Sequence, residues 1–327
     1  PLQHQSFLIG DAGGDKNGKP VETLKIIERK LKQAGENSSV IFLGDNIYPH
    51  GLPAEGMPGR ASAESNLKAQ LDILKAFKGQ IYFIPGNHDW ETEDGVEGVR
   101  RQENFVQDYL DRGDTFIPDN GCSGPEVEEL SKNTILIAID SQWYLENWDH
   151  EEDINADCEI RTREQFLIEL QDKIKDNREK NIVLAMHHPL NTNGRHDGHY
   201  SAKEHLFPLS ILNPKLLVPL PVIGSALAFL NGAIARPQEL AHPNYRAFKA
   251  SLIDIADKFT NVIFASGHEH SLQYFEEEDQ FFIVSGAGSR RTPVGLGDDA
   301  EFVAGVEGFS NLNIYEDGEV WVDFWAT

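Results

Sequence analysis

Five short apolar runs in this chain each end in a turn that carries a metal-ligating side chain. Phe7-Leu8-Ile9 runs into Gly10-Asp11, Ile41-Phe42-Leu43 into Gly44-Asp45, and Ile81–Ile84 into Gly86-Asn87-His88-Asp89. Ile182–Met186 runs into His187-His188-Pro189, and Val262–Ala265 into Gly267-His268-Glu269-His270. The stretches between them place apolar residues at helical spacing, as in Leu24, Ile27 and Leu31, or Leu67, Leu71, Leu74 and Phe77. A short buried strand followed by an amphipathic helix, repeated, is the pattern of βα units around a mainly parallel sheet. Such sheets collect ligands at the carboxyl ends of their strands. Asp11 and His187, far apart in sequence, are therefore expected at one rim.

The spacing predicts strands over Ser6–Gly10, Val40–Leu43, Ile81–Ile84, Thr134–Ile139, Ile182–Met186 and Val262–Ala265. It predicts helices over Val21–Gln33, Leu67–Phe77, Val99–Leu110, Arg163–Ile174 and Tyr245–Lys258. From Leu272 onward only strands follow, at Leu272–Phe275, Phe281–Ser285, Leu312–Tyr315 and Val320–Phe324, to extend or cover the sheet. No internal repeat or linker divides the 327 residues, so a single domain over 1–327 is expected.

The chemistry follows from residue types. Carboxylates, an amide and imidazoles together make a two-metal hydrolytic site. Asp11 and Asp45 each sit in a Gly-Asp turn, where glycine permits close backbone approach. Asn87 offers an amide oxygen, His88 a contact to substrate, and Asp89 a carboxylate to hold the second nitrogen of His88. His187 and His188 point opposite ways on extended chain, so one of them is expected to be a ligand. His268 and His270, two apart, share one side of an extended segment. Tyr48 adds a phenolate, a strong ligand for a trivalent ion, and moves the expectation from a divalent phosphoesterase to an iron enzyme.

The formal charge of −24 opposes tight binding to nucleic acid polymers or anionic membranes. It leaves small anions open, because bound metal ions reverse the local field. The sequence opens at Pro1, and a signal segment removed before it would leave no trace. Cys122 and Cys158 are the only cysteines. Paired in an oxidising compartment they would contribute roughly 3–4 kcal/mol; the alternative is two unrelated thiols.

The order of these motifs resembles the calcineurin-like metallophosphoesterase superfamily. The variant Asp45-Asn46-Ile47-Tyr48 resembles its purple acid phosphatase branch, in the small single-domain form. The likeness covers about residues 6 to 290 as a scaffold and is specific at the ligand positions. It implies an α/β fold, a four-layer αββα sandwich with mixed sheets and βαβ units. It implies that Asp11, Tyr48 and His270 hold Fe(III), that Asp45 bridges, and that Asn87, His187 and His268 hold a divalent Fe, Zn or Mn ion. The family's Gly-His-x-Pro motif places the ligand two residues before the proline, which selects His187 over His188; Met186 stands where that motif has glycine. His88 matches a substrate-contacting histidine. His196 and His199 compete for a histidine that protonates the leaving group. The implied activity is an acid phosphatase, hydrolysing small phosphate monoesters with a hydroxide held between the metals, in an extracytoplasmic setting, periplasmic or secreted.

One departure from that family is an apolar insertion at about 205–240. Leu206–Ala235 holds one charge, Lys215, and four prolines at 208, 214, 219 and 221 interrupt its first half, so no transmembrane span is expected. It reads as a helical hairpin on the domain, or as a lid or docking surface for a partner or a membrane surface. Asp149–Glu159, with six acids, reads as a solvated loop. Two further functions stay open: a phosphodiesterase on the same site, and a metal-carrying module that docks a partner through the insertion.

Overall fold

The computed structural model describes residues 1–14, 21–195, 237–259, 262–277, 279–295, 297 and 299–327. Most of the apolar insertion, Leu206–Ala235 included, lies outside them. Twelve strands among the described residues form two mixed sheets. The first has the order β12-β11-β1-β2-β3, with β1 Leu2–Ile9, β2 Ser38–Leu43, β3 Gln80–Ile84, β11 Gly308–Tyr315 and β12 Val320–Ala326. The second has the order β10-β8-β9-β7-β6-β5-β4. Its strands are β4 Glu126–Ser131, β5 Thr134–Ala138, β6 Asn181–Ala185, β7 Val262–Ser266, β8 Leu272–Glu277, β9 Gln280–Ser285 and β10 Ala300–Ala304. The βα units supply the parallel centres, β1-β2-β3 and β5-β6-β7-β9. The tail strands divide between the sheets: β8 to β10 extend the second, β11 and β12 the first.

Alternation along each strand makes the layers. In the first sheet Phe7, Ile9, Val40, Phe42 and Phe83 face outward, under α1 (Glu22–Leu31), α2 (Arg60–Asp72) and α4 (Val96–Leu110). Their neighbours Leu8, Ile41, Leu43, Tyr82 and Ile84 face the other sheet, meeting Leu136, Ala138, Val183, Ala185 and Ile263. Outward residues of the second sheet, such as Ile137, Leu184 and Phe264, pack under α5 (Ser141–Leu145), α7 (Arg163–Asp176) and α8 (Pro243–Ala256). Among the described residues two short helices complete the set, α3 (Asn87–Trp90) and α6 (Glu152–Asn155). The result is helices, sheet, sheet, helices: the αββα sandwich.

Several elements differ from the expected spans. α2 covers Arg60–Asp72 rather than Leu67–Phe77. It begins early because Glu64 pairs with Arg60 and Lys68, each at 2.8 Å, one turn away on either side. Leu74 and Phe77 are buried as expected, but on turns closed by i to i−3 bonds, Leu74 N–H to Leu71 O and Phe77 N–H to Leu74 O. β4 and β10 carry no apolar run to betray them, being strands of mixed polarity that pair with β5 and β8. The acidic segment Asp149–Glu159 is solvated at five of its six acids, as expected, but it is not all loop and is anchored from within. Asp149 pairs with Arg163 at 3.4 Å with its side chain buried, α6 lies within the segment, and Cys158 is buried and bonded to Cys122.

His4, on β1, is buried beside Ser39 Oγ at 3.1 Å, and burial lowers its imidazole to about 4 from the usual 6.5. Between those values the unfolded chain binds the proton and the folded chain does not, so stability falls as pH drops from 6.5 to about 4. The loss is expected to reach roughly 3 kcal/mol. His4→Gln removes this titration, so urea unfolding at pH 7 and pH 4 should show a larger acid loss in wild type than in the variant. Equal losses would show that His4 is not the group responsible.

Candidate metal centre

Strand register brings the motifs together. Ile9 pairs with Phe42 and Leu43 with Ile84, so Asp11, Asp45 and Asn87 leave the first sheet side by side. Ala185 pairs with Ala265, so His187 and His268 leave the second sheet together. The turns are tight. Asp11, Asp45 and His268 all adopt left-handed backbone, at φ of 58°, 54° and 66°, an uncommon conformation that costs free energy for a residue with a side chain. Glycine is required at two of the turns. A Cβ on Gly86 would lie 2.3 Å from Asp45 N, and one on Gly44, at φ +86°, would lie 2.5 Å from His187 Nδ1.

The side chains then converge in two groups. Tyr48 Oη donates to Asp11 Oδ1 at 2.7 Å and lies 3.2 Å from His270 Nε2, which is 3.3 Å from the same Asp11 oxygen. In the second group His187 Nε2 lies 3.1 Å from Asn87 Oδ1, 3.2 Å from His268 Nδ1 and 3.3 Å from Asp45 Oδ1. Asp11 Oδ2 ties the groups together by accepting the His268 backbone N–H at 2.8 Å. Asp11, Asp45, Asn87, His187 and His268 are buried, and His270 is partly open.

This donor set fits cations. His187 Nδ1 lies 2.8 Å from the Leu43 carbonyl, which can only accept, so Nδ1 carries the proton and Nε2 presents its lone pair. That lone pair faces the Asn87 and Asp45 oxygens, which are also acceptors. Acceptors gathered in a buried space call for positive charge at their centre. One ligand atom each from Asp11, Asp45 and His187 lie within 4.8 Å of one another, as do those of His187, His188 and His268.

Electrostatics agree with that reading. Burial opposes ionisation of Asp45, but positive charge at the His187 and His88 imidazoles, with the His88 N–H and the Tyr48 hydroxyl, outweighs it and holds the carboxyl below its usual range; a bound cation would take over that role beside a neutral His187. Burial first, and then the Asp11 and Asp45 carboxylates, push the Tyr48 phenol well above its ordinary value. A cation beside that oxygen would reverse the push. His88 stands at the rim, 4.7 Å ring to ring from Tyr48, with Nε2 3.9 Å from Asp45 Oδ2. Burial lowers its basicity, but the Asp45 and Glu91 carboxylates and the Pro49 carbonyl raise it above the usual histidine value.

Three sequence expectations change. Asp89 does not hold the His88 ring. It turns inward and accepts from Gly86 N at 2.8 Å, Asn46 N at 3.1 Å, Ile47 N at 3.2 Å and Gln102 Nε2 at 3.1 Å, fixing the Asp45 turn. His88 Nδ1 is met instead by Pro49 O at 2.7 Å and Glu91 at 3.0 Å. The chain bends at His187 and His188, so their rings do not diverge: both lie beside His268, at 5.0 and 4.4 Å. His188 Nδ1 is 2.9 Å from Ser141 Oγ. His268 and His270 likewise converge through a bend, one reaching each group of donors. His196 and His199 lie outside the described residues.

Sequence reasoning missed Asp140 and Arg290. Asp140 is buried and caps α5, accepting from Gln142 N, Trp143 N and Trp90 Nε1, yet burial drives its carboxyl up to about 7. Arg290 lies over the Tyr48 ring, its Cζ 3.7 Å from the centroid.

Comparison with known proteins gives the family. A family model described as calcineurin-like phosphoesterase matches residues 7–220, more than half of the chain. The chain belongs to the calcineurin-like phosphoesterase family. Among solved structures this phosphoesterase is similar to GAP50, the anchor in the inner membrane complex of Plasmodium, at 16% identity and a TM-score of 0.58, over 100% of this chain and 85% of that one. It is similar to purple acid phosphatase PPD1 from yellow lupin (Lupinus luteus) seeds, at 12% identity and 0.53, over 99% of this chain and 51% of that one. It is similar to PhoD at 11% identity and 0.54, over 95% of this chain and 64% of that one. These likenesses are of fold. No curated protein matches the phosphoesterase sequence.

Proposed function

We propose that this phosphoesterase is an acid phosphatase that hydrolyses small phosphate monoesters at a two-metal centre. One observation carries the reading: Tyr48 Oη lies 2.7 Å from Asp11 and 3.2 Å from His270, so a phenolate, a carboxylate and an imidazole can share one ion. That donor set suits Fe(III), held by Asp11, Tyr48 and His270. Asn87, His187 and His268 would hold a divalent Fe, Zn or Mn ion, with Asp45 between the two. The bound pair would supply charge neutralisation on the phosphoryl group and acidify water near it.

The chain's own residues do the rest. The Leu43 carbonyl fixes the His187 tautomer, and the His88 N–H donates to Asp45 Oδ1 at 3.0 Å, orienting that carboxylate. His88 is turned by Pro49 O and Glu91 so that Nε2 faces the cluster, where it would donate to phosphoryl oxygens. His196 or His199 would protonate the departing alkoxide. The apolar insertion at about 205–240 is read as part of one domain over 1–327. The Cys122–Cys158 disulfide supports residence in an oxidising, extracytoplasmic compartment.

The iron-loaded protein is expected to be coloured, through charge transfer from the Tyr48 phenolate, and to turn over p-nitrophenyl phosphate. Tyr48→Phe should abolish the visible band with the far-UV circular dichroism unchanged. A colourless iron-replete wild type, or a coloured variant, would sink the iron assignment. Absence of turnover would favour a docking module instead.

A further inference from the structure

Arg290 stands out among the basic residues of this acidic chain, which has 29 lysines and arginines against 53 acids. It is exposed, and no carboxylate among the described residues pairs with it. Its position is nonetheless built. Ser289 Oγ donates to the Asp11 carbonyl at 2.5 Å, and Thr292 N–H donates to the His270 carbonyl at 2.8 Å. The segment carrying Arg290 is therefore pinned on both sides to residues of the metal centre. Gly14 makes room for it: a Cβ there would lie 2.3 Å from Ser289 Oγ and 3.2 Å from Arg290 Nε. The guanidinium lies over the Tyr48 ring, Cζ 3.7 Å from its centroid, and its N–H groups meet no acceptor among the described residues.

We propose that Arg290 anchors substrate, its guanidinium donating to a non-bridging oxygen of the phosphoryl group held at the Asp11 and Asp45 cluster. This rests on reading that cluster as a phosphoesterase centre. Stacking on the phenol holds the fork in place before the ligand arrives, so little ordering is left to do on binding. In a chain of net charge −24 a cation fixed at the mouth also offsets the field that a phosphate must cross.

The test is calorimetric titration of inorganic phosphate into metal-loaded wild type, Arg290→Ala and Arg290→Lys. Arg290→Ala should weaken phosphate binding about tenfold or more, as expected for a charge-assisted hydrogen bond, with metal content unchanged. Arg290→Lys, keeping the charge without the planar fork, should fall between. In turnover KM should rise with kcat little altered. Equal phosphate affinity in wild type and Arg290→Ala, or loss of metal in the variant, would overturn the proposal. So would weakened binding of inorganic diphosphate with unchanged binding of phosphate, because the contact would then be to a second phosphate. Wild type that binds phosphate through Arg290 but hydrolyses no monoester would sink the acid phosphatase reading alone.

Discussion

Asp45→Asn should lose at least ~100-fold of phosphate monoester hydrolysis and bind metal poorly, while folding normally. Loss of a residue that only supports a ligand typically costs about 10–100-fold in affinity or activity, and Asp45 is placed closer than that. Its Oδ1 lies 3.3 Å from His187 Nε2 and accepts the His88 N–H at 3.0 Å. The amide keeps the shape and the acceptor for His88 but removes the charge. Metal analysis and kcat/KM on p-nitrophenyl phosphate, with circular dichroism as the control, decide it. Activity above a tenth of wild type would remove Asp45 from the centre.

Opening the disulfide is expected to cost about 4 kcal/mol of stability, because Cys122 and Cys158 close a loop of 36 residues. The bond ties the turn after Asp119–Gly121, which packs on α4, to the end of the acidic segment that carries α6. Asp149 and Asn155 in that segment are buried against Arg163 and Trp143, so both ends of the loop are anchored independently. The double variant Cys122→Ser/Cys158→Ser should unfold at a clearly lower denaturant concentration, and reductant should lower the wild-type midpoint to match. A midpoint unmoved by either change would show that the packing alone holds the loop.

The candidate centre was legible where chemistry is local to a strand end. A buried run stopped by Gly-Asp or Gly-Asn-His marks both the end of a strand and the side chain that follows it, and register does the rest. What could not be read was orientation within turns. Asp89 follows His88 directly, but on the single turn of α3 adjacent residues point about 100° apart, so the carboxylate faces the core and Glu91, one turn on, meets the ring. Sequence alone reads the two histidine pairs as extended chain, whereas bends set their directions. Arg290 carries no sequence signal, since an Arg-Arg pair in a polar loop is ordinary and only the contact with Tyr48 distinguishes it. At fold level the βα units announced a parallel centre, but polar edge strands such as Glu126–Ser131 pair through backbone and show no apolar period.

The donors come from both sheets: Asp11, Asp45 and Asn87 from the first, His187, His268 and His270 from the second. An ion held between them would be a clasp across the seam of the sandwich, its binding free energy adding cohesion to two layers joined there by apolar contact and by hydrogen bonds such as His268 N–H to Asp11 and Gly10 N–H to the Ser285 carbonyl. Emptying the centre would loosen the layers together at this end, and amide hydrogen exchange would quicken in β2 and β6 in step rather than in either sheet alone.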